Sequence, residues 1–143
     1  MLRKEGVRVV VEIAEDLPPV RCHPQQIQQV LMNLLTNARD ALNERYPEGG
    51  DAKRIVISAA EHADERARTW LRITVEDSGT GIAPDMLEKI FDPFSTTKHN
   101  AGPGLGLAVS QGIAREHGGA LHVESELGSF ACFHLDLPLV QGT

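Results

Sequence analysis

Hydrophobic and polar positions alternate with two different periods along the chain, and the order of these periods predicts the order of the secondary structure. Residues 7–13 are rich in β-branched side chains and predict a strand. Residues 24–44 then carry apolar side chains at three- and four-residue spacing, which predicts a long amphipathic helix with one buried face. The apolar positions of that helix are Ile27, Val30, Leu31, Leu34, Leu35, Ala38, Ala41 and Leu42.

The rest of the pattern predicts four more strands and two more helices. The strands are predicted at residues 54–60, 69–76, 120–125 and 130–137, with a polar hairpin connection joining the first two. The helices are predicted at residues 84–90 and 105–117, and the second ends at two glycines. This order predicts one α/β domain over residues 1–143. It would be a two-layer sandwich of a mixed, largely antiparallel sheet with helices on one face.

Size and charge exclude several functional classes. The 143 residues are enough for one domain with a single core. A net charge of −6 argues against nucleic-acid binding, which requires clustered lysine and arginine. No apolar run approaches the roughly 20 residues that cross a bilayer, and no signal peptide is recognised. We therefore expect a cytoplasmic domain without membrane contact.

The cysteines and histidines do not predict a metal centre. Cys22 and Cys132 are far apart in sequence, which favours two buried thiols in a reducing compartment. The six histidines show no spacing typical of metal ligands.

Two asparagines lie within the long predicted helix, at the border of its apolar stripe. Asn33 and Asn37 are four residues apart, so they lie on one face of the helix. Asparagine is a mediocre helix former, because its amide competes for backbone groups. A solvated helix edge is one interpretation. The other is the polar wall of a cleft, where a carboxamide oxygen could bind Mg²⁺.

The sequence DSGTG follows the predicted third strand and could form a recognition turn. Asp77 could accept a hydrogen bond from an exocyclic amine such as that of adenine, while Gly79 and Gly81 would let a flat ring approach the backbone. A plain Asx turn with flexible glycines is the alternative interpretation.

A glycine-rich stretch opens the last predicted helix. Residues 101–112 contain four glycines, and such turns often bind phosphates through backbone N–H groups. The preceding loop carries two aromatic residues, hydroxyl groups and a lysine, which is what a mobile lid over a polyphosphate would need. A Rossmann dinucleotide site is disfavoured, because the glycines follow an irregular loop rather than a first strand.

The order of these four motifs, NLLTNARDA, DSGTG, FDPFSTTK and GPGLG, resembles the catalytic ATP-binding domain of two-component sensor histidine kinases. That domain belongs to an ATPase superfamily shared with DNA gyrase and MutL. The resemblance covers residues 7–138, is greatest to the nitrogen-regulation branch, and implies a Bergerat-type fold.

The resemblance implies a role for each matching residue. Asn37 matches the asparagine that binds Mg²⁺, Asn33 its partner one turn earlier, and Asp77 the aspartate that binds the adenine amino group. Lys98 is similar to a lysine near the terminal phosphates. The resemblance implies three more groups in nucleotide binding. They are the glycines that flank the base, Gly79 and Gly81; the Phe box, Phe91 and Phe94; and the second glycine box, Gly102, Gly104, Leu105 and Gly106. Ile82, Thr96 and Thr97 are also implied in binding.

Three positions depart from the family pattern. Asp40 stands where many of these kinases have a lysine or arginine, and Ala41 stands where many have an aromatic residue. The last glycine box, normally Gly-x-Gly-Thr, reads GSFA at residues 128–131 and is not counted as binding.

The resemblance implies transfer of the γ-phosphoryl group of ATP to a histidine outside this chain. Relatives that hydrolyse ATP have a glutamate base at the position of Asn33, whose carboxamide cannot accept a proton at neutral pH. The implied partners are the dimerisation domain of the same kinase, which carries the acceptor histidine, and a downstream response regulator. The alternatives are a nucleotide-switched binding module and, less favoured, a serine kinase of the anti-sigma type.

Overall fold

The computed structural model describes residues 6–92 and 106–139. The elements follow the predicted order: β1 (Arg8–Ile13), α1 (Pro24–Arg45), β2 (Arg54–Ala63), β3 (Thr69–Asp77), α2 (Pro84–Leu87), α3 (Gly106–Glu116), β4 (Ala120–Glu126) and β5 (Phe130–Pro138). Within the described ranges, every predicted strand and helix is therefore present.

Two elements differ from their predicted ends by three residues: β2 extends to Ala63 rather than to residue 60, and α2 is shorter than predicted. The helix α2 ends at Leu87, three residues before the predicted end at Ile90. Beyond it, Lys89 N donates to Met86 O at 3.0 Å and Asp92 N donates to Lys89 O at 2.9 Å. These bonds span three residues rather than four, so the chain continues as consecutive turns instead of an α-helix.

The five strands form one sheet in the order β1-β2-β3-β5-β4. β1 pairs with β2 in parallel, and the other three pairings are antiparallel. The prediction of a mixed, largely antiparallel sheet is confirmed. The central strand, β3, ends at Asp77, which lies opposite Ile55 of β2 and Ala131 of β5.

One face of the sheet packs against α1 and α3 and forms the core. α1 lies against β2 and β3, α3 lies against β4 and β5, and the two helices contact each other. Side chains alternate between faces along a strand, so Val75 and Phe133 point to this core while Thr74 and Cys132 belong to the opposite face. The buried apolar residues of α1 are Ile27, Val30, Leu34, Ala38, Ala41 and Leu42, all of which the helical period predicts.

No helix among residues 6–92 and 106–139 is both long enough and apolar enough to cross a membrane.

Candidate nucleotide-binding site

A buried carboxylate marks the end of the central strand. Asp77 is 3% exposed, and its Oδ1 accepts a hydrogen bond from Gly79 N at 2.8 Å. A buried carboxylate is costly unless hydrogen bonds stabilise its charge. The Asx turn therefore fixes the orientation of Asp77 at the end of β3. Residues 77–82 are called the Asp77 turn from here on.

The two glycines after Asp77 have little room for a side chain. A Cβ atom at Gly79 would lie 2.7 Å from the Cβ of Ala41 in α1. Gly81 has a φ of +71°, and a Cβ there would overlap the carbonyl group of Glu126. The structure thus gives both glycines a packing role against this chain's own atoms. Their predicted contact with a base stays a prediction.

Arg45, in the last turn of α1, forms hydrogen bonds to the turn that follows Asp77. The sequence did not predict a role for this residue. Its Nη1 donates to Ser78 O at 3.0 Å, to Gly79 O at 2.9 Å and to Ser129 O at 3.0 Å. An arginine near a helix C-terminus is favourable on electrostatic grounds alone. Nothing in the sequence shows that its side chain reaches carbonyl groups 33, 34 and 84 residues away.

Residues of β4, of β5 and of the turn between them form hydrogen bonds that support residues 80–82. Ile82 N donates to Ser125 Oγ at 2.7 Å, and that hydroxyl donates to Phe130 O at 2.7 Å. Gly128 N donates to Thr80 O at 2.6 Å. The altered last glycine box therefore includes residues that support the Asp77 turn, although it lacks the usual threonine.

Asn33 joins α1 to the first turns of α3. Its Nδ2 donates to Gly106 O at 3.1 Å and to Ser110 Oγ at 2.9 Å, and Ser110 is fully buried. Both amide hydrogens therefore have acceptors in α3. Asn37 is half-buried one turn further along α1. The structure thus brings Asn33 and Gly106 together, and their predicted roles at a nucleotide stay predictions.

The Phe box is described only in part. Phe91 is half-buried and packs edge-on against Phe133, with ring centroids 6.5 Å apart. The other predicted residues of the loop and of the second glycine box lie outside the described residues, so their roles stay predictions; they are Phe94, Thr96, Thr97, Lys98, Gly102, Gly104 and Leu105.

Comparison with known protein families identifies the class. Residues 22–141 match the family of histidine kinase-, DNA gyrase B- and HSP90-like ATPases. The chain belongs to this family.

Among the individual relatives are bacterial kinases, including sensor histidine kinases. The chain is 37% identical over 136 residues to sporulation kinase E of Bacillus subtilis strain 168, covering 95% of this chain and 17% of that protein. It is 44% identical over 126 residues to the sensor histidine kinase ZraS of Salmonella typhi, covering 88% of this chain and 24% of ZraS. The chain is thus similar to one segment of these kinases, and it spans less than a quarter of their length.

A solved structure shares the fold. The crystal structure of full-length ShkA in complex with AMPPNP superposes with a TM-score of 0.77 at 28% identity. The match covers 99% of this chain and 27% of ShkA.

Proposed function

We propose that this chain binds ATP and Mg²⁺ beside the Asp77 turn and serves a larger sensor kinase by phosphorylating a histidine in another domain. The observation that carries the proposal is the buried carboxylate of Asp77, held by Gly79 N at the end of the central strand. A charge kept this far from water, in a turn supported by α1 and the β4–β5 turn, is suited to a specific hydrogen-bond donor.

The 6-amino group of adenine is the donor that we assign to Asp77. An ionised carboxylate only accepts hydrogen bonds, so it favours an amine and disfavours a carbonyl oxygen at the same place. The complex of ShkA with AMPPNP, which contains adenine, supports this assignment.

The residues of α1 fit a hard cation and the phosphates that accompany it. Mg²⁺ prefers oxygen ligands and usually shares them with substrate phosphates. Asn37 offers a carboxamide oxygen one helical turn from Asn33, whose amide group already bonds to α3. Bound Mg²⁺ would neutralise phosphate charge, and Lys98 is proposed to act on the same phosphates.

Asn33 provides no general base for water. Its carboxamide does not accept a proton at neutral pH, and its two amide hydrogens contact Gly106 O and Ser110 Oγ. General-base assistance is commonly worth about 10²- to 10⁴-fold in rate. We therefore propose slow hydrolysis by this chain and transfer to a histidine of the dimerisation domain. That histidine would then pass the phosphoryl group to a response regulator.

Binding and transfer need separate measurements. In titration calorimetry, Asp77→Asn should lower ATP affinity by about 1–3 kcal/mol, because one buried hydrogen bond is weakened or mispaired. Asp64→Asn, at the opposite end of β3, is the matched control and should bind ATP like the wild type. Asn37→Ala should weaken binding only when Mg²⁺ is present.

Phosphotransfer is tested with radiolabelled ATP. The chain alone should neither release phosphate rapidly nor label itself, and addition of the dimerisation domain of its own full-length protein should give an acid-labile, base-stable phosphate. ATP binding without any transfer would instead favour the nucleotide-switched binding module. Rapid phosphate release, or a stable label on serine or threonine, would contradict the histidine-kinase mechanism.

A further inference from the structure

Three side chains that can bind a metal meet on the sheet face opposite α1 and α3. Cys132 and His134 belong to β5, and Glu124 belongs to the neighbouring strand β4. His134 Nε2 lies 3.2 Å from Glu124 Oε2 and 3.6 Å from Cys132 Sγ. All three ligand atoms lie within 4.8 Å of one another.

The two separations from His134 Nε2 fit the coordination of zinc. Zn–S bonds of about 2.3 Å and Zn–N or Zn–O bonds of about 2.0–2.1 Å, at tetrahedral angles, place ligand atoms about 3.3–3.6 Å apart. The two distances from His134 Nε2 are close to this range. A sulfur, nitrogen and oxygen set also favours zinc over magnesium, which takes oxygen ligands in octahedral geometry.

The second nitrogen of His134 has the partner that a metal-bound imidazole needs. His134 Nδ1 lies 2.8 Å from Thr74 Oγ1 of β3. When Nε2 binds a metal, Nδ1 carries the proton and donates it to an outer partner, which fixes the ring. Thr74 can accept this hydrogen bond across the β3–β5 pair.

The surrounding charge favours a cation. Glu76 lies opposite Cys132 in the β3–β5 register and adds a second carboxylate near the thiol. Arg72, which lies on the same face two residues from Thr74, donates to both carboxylate oxygens of Asp136 at 2.8 and 2.9 Å. That pair compensates the positive charge of Arg72, while Glu76 and Glu124 both act on the Cys132 thiol.

We propose that Glu124, Cys132 and His134 form a zinc site that joins β4 to β5, with water as the fourth ligand. The spacing of cysteines and histidines in the sequence did not predict it. The site depends on the alternation that puts Cys132 and His134 on one face, and on the pairing of Glu124 with Cys132 across strands. It lies on the sheet face opposite the helices, apart from α1 and its asparagines.

Metal binding must displace the proton of the thiol. Burial, together with the nearby Glu76 and Glu124 carboxylates, raises the pKa of Cys132 to about 12, so the metal-free thiol is protonated at neutral pH. Binding forms the Zn–S bond and releases that proton to the solvent.

Titration of the chain without a histidine tag or nucleotide tests the site. One equivalent of Zn²⁺ should bind and raise the thermal midpoint, whereas Mg²⁺ alone should not. Co²⁺, used as a spectroscopic substitute, should give the strong visible bands of tetrahedral cobalt and a near-ultraviolet thiolate charge-transfer band. Cys132→Ser should abolish the charge-transfer band, while Cys22→Ser should retain it.

Two variants that preserve the sheet make the test sharper. Glu124→Gln changes a largely exposed side chain and should weaken Zn²⁺ binding at least about tenfold. Thr74→Val keeps all three ligands and should weaken binding about 10- to 100-fold through loss of the outer hydrogen bond. An absence of saturable binding to the wild type, or an unchanged charge-transfer band in Cys132→Ser, would overturn the proposal.

Discussion

The two turns that flank β3 are built around an aspartate, yet they are stabilised in different ways. In the β2–β3 hairpin, Asp64 Oδ1 accepts hydrogen bonds from Arg66 N at 2.8 Å and Arg68 N at 3.0 Å. Its Oδ2 accepts from Trp70 Nε1 at 3.0 Å. All these donors lie within six residues of Asp64. After Asp77, by contrast, only Gly79 N is a local donor to the carboxylate, and the other supporting groups described above come from α1, β4 and the β4–β5 turn.

The difference also appears in the left-handed residue of each turn. Ala67 in the hairpin has a φ of 63° and is exposed, so an alanine is accommodated there. Gly81 has a φ of +71° and packs directly against the carbonyl of Glu126. The hairpin is therefore determined by its local sequence, whereas the Asp77 turn is determined by distant parts of the fold. Substitutions in the two turns should behave accordingly.

We expect the largest effect from Gly81→Ala. The substitution combines a left-handed backbone with a clash against Glu126, and together these should lower the free energy of unfolding by about 3 kcal/mol. The matched control is Gly128→Ala. Gly128 has a φ of +85° but open space around its Cβ position, so only the backbone term of about 1 kcal/mol applies. Urea denaturation of both variants measures the difference; equal losses would show that the packing against Glu126 is unimportant.

Arg45→Ala should have the next largest effect. It removes three hydrogen bonds to carbonyl groups that lie partly in solvent, and we expect a loss of about 1 kcal/mol in stability. ATP affinity should fall several-fold, because the turn that carries Asp77 is loosened. Arg45→Lys keeps the charge but not the planar group, so it should resemble alanine. Full ATP affinity in Arg45→Ala would mean that the turn does not depend on α1.

A smaller, pH-dependent effect is expected at Asp64. The Trp70 indole N–H and the backbone N–H groups of Arg68 and Arg66 lower the pKa of Asp64 from 3.8 to about 2. A folded-state pKa below the unfolded value gives stability that is present above pH 3.8 and is lost as the pH falls towards 2. The stability advantage of the wild type over Asp64→Asn should therefore shrink as the pH falls from about 5 to about 2. A constant difference over that range would contradict the assignment.

The smallest effect is predicted for Ala67→Gly. Relief of the left-handed conformation favours glycine by about 1–2 kcal/mol, and the added freedom of the unfolded chain opposes it by about 0.5–1 kcal/mol. The variant should therefore be slightly more stable, which thermal melting can detect. A clear loss of stability would show that the methyl group of Ala67 makes a contact that matters.

The periodicity of the sequence was sufficient to predict most of the fold. The buried face of α1 and the β2–β3 hairpin depend on short-range patterns, and both were predicted. The end of α2 was not, since the hydrogen bonds after Leu87 change from four-residue to three-residue spacing without a proline or glycine to signal it.

The candidate site was predicted less completely than the fold. Asn33, Asp77 and Gly81 stand out in sequence because their residue types are unusual for their elements. Arg45 and Ser125 do not, because their partners are brought close only by the tertiary structure. The Glu124–Cys132–His134 cluster escaped notice for the same reason, since strand pairing creates it.

The most direct test of the central claim compares ATP with purine riboside triphosphate, which lacks the 6-amino group, by calorimetry. If Asp77 binds that amine, the wild type should bind ATP more tightly by about 1–3 kcal/mol, roughly 5- to 150-fold. Asp77→Ala should bind the two nucleotides almost equally, and Asp64→Asn should retain the wild-type preference. Equal affinity of the wild type for both nucleotides would contradict the assignment of Asp77 to adenine.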